Sequence, residues 1–148
     1  EMKNEIELFV NSPEVQRLKE SGISFTYPIY IDVEYDDILN GTTFESRTEV
    51  IQYGMDLLKS YGYKPGFYAN KNWANNHFDA ASLSNQGYYF WFARYPSSDP
   101  AYHANPDSKT PSSELNGAVY QIWQYSSVGI MAGIMGSVDL NYSYYNFQ

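Results

Sequence analysis

Apolar and polar positions alternate most cleanly between Tyr27 and Glu34. Ile29, Ile31 and Val33 fall on one side of an extended chain, and Pro28, Tyr30, Asp32 and Glu34 on the other. The pattern predicts a strand with an aliphatic face for packing against helices and an opposite face that turns acidic toward its C-terminal end. Before it, Ile6, Phe9 and Val10 share a helical face. Asn11-Ser12-Pro13-Glu14 then restarts the helix, with Ser12 as cap and Pro13 in the first turn, until Ser21-Gly22 stops it. After the strand, a polar loop covers 35–45, and a helix is predicted from Ser46, whose spacing to Glu49 suits a capping box. Val50, Ile51, Leu57, Leu58 and Tyr61 form its buried stripe, and Gly62 ends it.

Lys64 to Asn70 reads as a second strand, with Phe67 and Ala69 opposite Tyr68 and Asn70. Asn72 is placed to cap a short helix running to about Leu83. Tyr88 to Tyr95 is a third strand, aromatic on both faces and therefore expected to be buried on both. The segment 96–116 holds four prolines and no sustained periodicity. It is longer than an ordinary connection, which makes it a candidate functional loop. Val119 to Tyr125 is a fourth strand, 126–136 a glycine-rich turn, and Ser137 to Tyr142 a last strand. The order is α/β early and β late, in one domain over 1–148 without internal repeat or flexible linker.

Composition narrows the classes. Nine Lys and Arg against 17 Asp and Glu give a net charge of −8, which excludes a basic nucleic-acid footprint. No apolar run approaches the length of a bilayer-crossing helix, so no membrane span is expected. The absence of cysteine excludes disulfides, thiolate zinc sites and a cysteine nucleophile. Two histidines, His77 and His103, cannot furnish a His-rich metal site, and both read as surface residues. The outlier is aromatic content, with 16 Tyr, 8 Phe and 3 Trp. Flat apolar rings with polar tips suit either stacking on sugars or a tyrosine-rich core.

Three groups could carry chemistry. Asp32 and Glu34, two apart on a strand, point the same way with Cα atoms roughly 6.6 Å apart. Acid-catalysed glycoside cleavage needs such a pair, one carboxyl protonated to serve the leaving oxygen and one ionised to stabilise charge on the sugar. About two acid-x-acid pairs are expected by chance at this acid content, and Glu5-x-Glu7 and Glu34-x-Asp36 also occur. By itself, therefore, the pair reads first as a solvated strand end and only second as a catalytic pair. The second group is aromatic and polar: Tyr68 with Asn70, Trp91 with Tyr95, Trp123 with Tyr125, all near C-terminal strand ends that share one rim in an α/β barrel. The third is Asp139 between Val138 and Leu140, which fits either a solvated strand edge or a further carboxylate on that rim. No phosphate-binding loop or dinucleotide fingerprint is present.

Taken in order, the blocks 27–34 (Tyr-Pro-Ile-Tyr-Ile-Asp-Val-Glu), 66–70 (Gly-Phe-Tyr-Ala-Asn), 91–95 (Trp-Phe-Ala-Arg-Tyr), 122–127 (Ile-Trp-Gln-Tyr-Ser-Ser), Gly133-Ile134 and 138–141 (Val-Asp-Leu-Asn) resemble the glycoside hydrolase family 25 lysozymes. The resemblance implies an irregular, TIM-like β/α barrel with helices between early strands and few between late ones. It implies cleavage of the β-1,4 bond between N-acetylmuramic acid and N-acetylglucosamine in peptidoglycan, without metal or cofactor. By motif position, Glu34 resembles the general acid, Asp32 its partner, and Asp139 the acid of the final strand. Tyr30, Tyr68, Asn70, Trp91, Tyr95, Trp123 and Tyr125 are the expected substrate-binding residues. Members of that family open with a strand carrying Asp-Val-Ser-x-x-Gln-Gly, whose Asp belongs to the catalytic set, and this sequence has no counterpart. The expectation is therefore an incomplete barrel, the C-terminal part of a muramidase domain. Its partners would be peptidoglycan glycan strands and a complement, either an N-terminal segment or a strand-exchanged second copy. A secreted, cell-wall-associated or phage-encoded protein is implied. A non-catalytic cell-wall glycan-binding module, or an inactive fragment, is the alternative. A chitinase-like glycosidase is set aside because Pro28 and Tyr30 stand where that family carries further acids.

Overall fold

The computed structural model describes residues 2–107 and 110–147. Ser12 caps the restart of the N-terminal helix as expected, separating α1 (Met2–Val10) from α2 (Pro13–Glu20). The first strand, β1, is Ile29–Asp32, and a 3₁₀ turn at Asp36–Leu39 follows. Helix α3 runs Phe44–Ser60, two residues longer at its start than Ser46 predicts. Thr43 is the cap: its hydroxyl accepts the Ser46 N–H and the Ser46 hydroxyl accepts the Thr43 N–H, so Ser46 answers the capping box rather than opening it.

Strand β2 is Pro65–Asn70. The predicted helix 72–83 divides into α4 (Lys71–Asn76), capped by the Asn70 side chain, and α5 (Ala80–Asn85), capped by Asp79. Then come β3 (Tyr89–Ala93), a short α6 (Thr110–Ser113) inside the proline-rich loop, β4 (Ile122–Gly129) and β5 (Val138–Ser143). Ser108 and Lys109 of that loop lie outside the described residues. Strand β4 extends through Gly129, where a turn is predicted, because β5 pairs with it across two register irregularities.

The sheet order is β1-β2-β3-β4-β5, with β1 to β4 parallel and β5 antiparallel at the far edge. Among the described residues the sheet is open, with β1 and β5 as its edges. One face packs against helices. Phe67 stacks on Phe90 at 4.5 Å between centroids and meets Phe78 edge-on at 5.7 Å. Ile51, Met55 and Leu58 of α3 and Leu83 of α5 join them in the buried core, and Ile6 and Val10 of α1 extend it.

The other face carries the polar and aromatic residues of interest. Its lower part, at the N-terminal ends of the parallel strands, is crossed by the segment after β5. There Phe147 contacts Tyr89 of β3 at 5.5 Å and Tyr27, just before β1, at 5.3 Å, while Tyr145 contacts Tyr89 at 5.6 Å.

The proline-rich loop is pinned rather than loose. Glu114 takes the Arg94 guanidinium at 2.6 Å and the Lys71 ammonium at 2.9 Å. The Tyr142 hydroxyl donates to the Ala104 carbonyl, and Ser84 accepts the Val119 N–H.

Candidate active site

The site begins where β1 ends. Ile29 and Ile31 are committed to the helix side, which turns Tyr30 and Asp32 to the other face. The Asp32 Oδ1 accepts the Glu34 N–H at 2.9 Å, a short-range turn that fixes the Asp32 carboxylate at the rim. Glu34 reaches across to β2, where its Oε1 accepts the backbone N–H of Asn70. The Asn70 side chain also caps α4, its Oδ1 accepting the Trp73 N–H at 3.1 Å. Burial of the Glu34 carboxyl pushes its protonation midpoint above the usual glutamate value. The Asn70 backbone N–H and, more weakly, the Asn70 side chain oppose that shift, and the negative charges of Asp32 and Asp36 add to it.

Tyr68 is the register partner of both Asp32 and Trp91. Its hydroxyl donates to the Gln124 Oε1 at 2.8 Å, and the Tyr95 hydroxyl donates to the same oxygen at 2.6 Å. Burial first, then the Tyr95 hydroxyl, raises the Tyr68 phenol far above the ordinary tyrosine range, and the charges of Glu34 and Asp32 contribute in the same direction. Trp91 stands edge-on to Tyr68 at 5.2 Å and to Tyr30 at 5.6 Å, and its indole N–H donates to the Asn141 Oδ1 at 2.8 Å. Asp139, exposed near the start of β5, lies on the same side of that strand as Asn141.

Tyr30 depends on a glycine. A Cβ on Gly66 would stand 2.6 Å from the Tyr30 ring and 3.1 Å from the Tyr89 carbonyl. Gly66→Ala is therefore expected to cost about 1–3 kcal/mol by overpacking and to tilt the Tyr30 ring. Chemical denaturation, with the Trp91 fluorescence as a local probe, checks both effects.

The structure thus brings Tyr30, Asp32, Glu34, Tyr68, Asn70, Trp91 and Tyr95 together, with Asp139 on the same side of the neighbouring edge strand. Trp123 and Tyr125 do not join them. Gln124 faces the tyrosines, so alternation turns its two neighbours to the opposite side. There Trp123 is 1% exposed and donates its indole N–H to the Arg94 carbonyl, and Tyr125 stacks on Tyr142 at 4.9 Å. Gln124 and Asn141 are the polar members that the sequence reading passes over. The signal for Gln124 was one amide inside an aromatic strand. Among the described residues, no cluster of three or more His, Cys, Asp or Glu could hold a metal ion, and no helix is long and apolar enough to cross a membrane. A cavity of about 380 Å³ lined by Pro106, Tyr120 and Tyr144, among others, shares no residue with this site.

The sequence model of glycosyl hydrolases family 25 matches residues 1–134. The chain belongs to that family. This family-25 chain is 31% identical over 135 residues to the uncharacterized protein YegX of Escherichia coli O157:H7, covering 89% of the chain and 43% of YegX. Its fold is similar to the catalytic domain of endolysin ply40 from bacteriophage P40 of Listeria monocytogenes, with a TM-score of 0.63 and 22% identity over 95% of this chain and 59% of that one. It is also similar to GHIP, a glycosyl hydrolase 25 of Streptococcus pneumoniae, with a TM-score of 0.62 and 22% identity over 96% of this chain and 52% of that one. The family-25 chain therefore spans under half the length of YegX and little more than half of these two structures.

Proposed function

We propose that the chain forms the acid-bearing part of a peptidoglycan hydrolase that cleaves the β-1,4 bond between N-acetylmuramic acid and N-acetylglucosamine. The observation that carries this reading is the pairing at the end of β1. Glu34 is half-buried with a raised protonation midpoint, and Asp32 is held beside it by the Glu34 N–H. Burial that raises one carboxyl beside another marks the raised one as the proton donor. In this reading Glu34 gives its proton to the leaving glycosidic oxygen as the anomeric C–O bond breaks. Asp32 stabilises the positive charge that develops on the sugar or supports the acetamido group, and water supplies the hydroxyl of the new reducing end. Asp139 is assigned to the same cleft from the β5 side. Tyr30, Tyr68, Trp91 and Tyr95 supply ring faces and hydroxyls to the glycan, and Asn70 holds Glu34. Trp123 and Tyr125 are assigned to bracing β4 from behind.

The free edges of β1 and β5 suit a complementing strand, from the N-terminal part of the same domain or from a second copy. In this reading the protein is secreted, cell-wall-associated or phage-encoded, and acts on bacterial peptidoglycan. No cofactor enters the scheme.

Incubating the intact protein with purified cell walls and measuring new muramic acid reducing ends tests the reading. Retention on the walls without release of reducing ends would replace it with a non-catalytic glycan-binding module. Asp32→Asn is expected to lower turnover about 10²-fold or more with a much smaller loss of binding, because an ionised carboxylate matters most when charge develops. Parallel kcat and wall-binding measurements check it, and equal losses in both would make Asp32 a binding residue.

A further inference from the structure

Gln124 is 3% exposed, on the same side of the sheet as the carboxylates. Its side-chain oxygen takes two phenol protons, from Tyr68 at 2.8 Å and from Tyr95 at 2.6 Å, and the two phenol oxygens lie 3.5 Å apart. A phenol has one proton to give and lone pairs to accept with. With both protons spent on the amide, each oxygen is left with lone pairs only for whatever else approaches it. Tyr68 sits beside Asp32 in the sheet register, and the charges of Asp32 and Glu34 reach its hydroxyl.

We propose that Gln124 is a positioning residue that directs the Tyr68 and Tyr95 protons away from the carboxylates, so that the phenol oxygens on the Glu34 side accept hydrogen bonds and do not donate them. Such acceptors favour the protonated carboxyl, which can donate to them, over the carboxylate, which they repel. Glu34 is faced by Asp32 from β1, Asp36 from the 3₁₀ turn, and Tyr68 and Asn70 from β2, with Tyr95 beyond Tyr68. The Asn70 N–H donates to it, while Asp32 and Asp36 bring negative charge. The orientation of Tyr68 is then what keeps a further donor away from the acid. This inference rests on reading Glu34 as the acid of the site, but its readout does not require turnover.

The test is the titration of the Glu34 carboxyl by ¹³C NMR in the intact protein, with the resonance assigned by its loss in Glu34→Gln. Gln124→Met keeps the side chain's length and removes the amide acceptor. The freed phenols are then expected to turn toward the carboxylates and lower the Glu34 midpoint by about half a unit or more. Tyr68→Phe is expected to leave the midpoint in place or to lower it, and not to raise it, because in the native site that hydroxyl can accept from Glu34 and does not donate to it. A midpoint unmoved or raised in a folded Gln124→Met would overturn the proposal. So would a rise of about half a unit or more in Tyr68→Phe, which also decides the matter should the methionine variant not fold. Cell-wall cleavage measured on the same wild-type sample separates the two ideas. Its absence sinks the muramidase reading and leaves the titration result standing.

Discussion

Replacing Glu34 by Gln is expected to lower cell-wall cleavage about 10²–10⁴-fold, the usual worth of a positioned general acid, while making the protein more resistant to heat at neutral pH. The two signs have one origin. The amide cannot give a proton, so the leaving oxygen must depart as an anion. The amide oxygen can still accept the Asn70 N–H, so the strand-to-strand tie is kept.

The stability effect follows from the raised midpoint of Glu34 in the folded protein. A group whose folded midpoint lies above its unfolded one contributes stability that is complete below the unfolded value and is lost as pH rises through the folded value. Wild type and variant should therefore melt alike below about pH 4, near the unperturbed glutamate midpoint. The variant should gain as pH increases through the raised midpoint. Melting curves across pH, run beside reducing-end release, check both halves. A variant that is inactive and also melts lower at pH 7 would point to lost structure, and one that keeps more than half of wild-type turnover would remove Glu34 from the acid's role.

The largest structural loss is expected from Phe67→Ala. Phe67 is fully buried in the second strand, stacked on Phe90 and edge-on to Phe78. Truncating such a ring costs about 3–5 kcal/mol, because the lost transfer free energy is joined by the cavity left behind. Against a total of about 5–15 kcal/mol, that is about a fifth or more of the folded state's margin. For a chain of this size it corresponds to a fall in Tm of about 10–15 °C. Val119→Ala, at a side chain 53% exposed, should stay within about 0.5 kcal/mol. Equilibrium denaturation of both variants measures the contrast. If Phe67→Ala shifted Tm by under about 3 °C, the helix-facing side of the sheet would not be the main core.

Much of this arrangement is legible from local patterns. Three aliphatics at alternate positions commit one face of 29–33 to the core, and this alone turns Tyr30 and Asp32 to the same side as Tyr68 and Trp91. Ser12 before Pro13 and Gly62 after a helical stripe mark helix ends, because caps and left-handed stops are local chemistry. Gly62 indeed has φ of 85°. What local pattern leaves open is competition between equivalent partners. Thr43 and Ser46 both suit the start of α3, and the choice falls to the oxygen that reaches the third N–H. The orientation of β4 is harder. Trp123, Tyr125 and Tyr142 are equally suited to a cleft wall or a core, and they lie behind the sheet while Gln124 faces forward to two phenols, Tyr68 on β2 and Tyr95 just after β3. Those phenols are 56 and 29 residues away in sequence, beyond what a window of neighbours reports. Asp139 is placed by a hairpin rather than a crossover, so its side follows from pairing with β4, irregularities included.

The contact between Phe147 and Tyr27 joins the segment after the last strand to the segment before the first, across the whole width of an otherwise open sheet. Few pairs of residues in the chain are farther apart along the backbone, so the entropy of bringing them together is nearly the largest that any contact here must overcome. Contacts of such sequence separation are expected to form late, once the strands between them have paired and shortened the loop to be closed. The aromatic strap is therefore expected to close after β1 to β5 have assembled, so that Phe147→Ala should speed unfolding more than it slows folding. Until it closes, the lower part of the site-bearing face, with Tyr89 at its centre, stands open to water and to other chains.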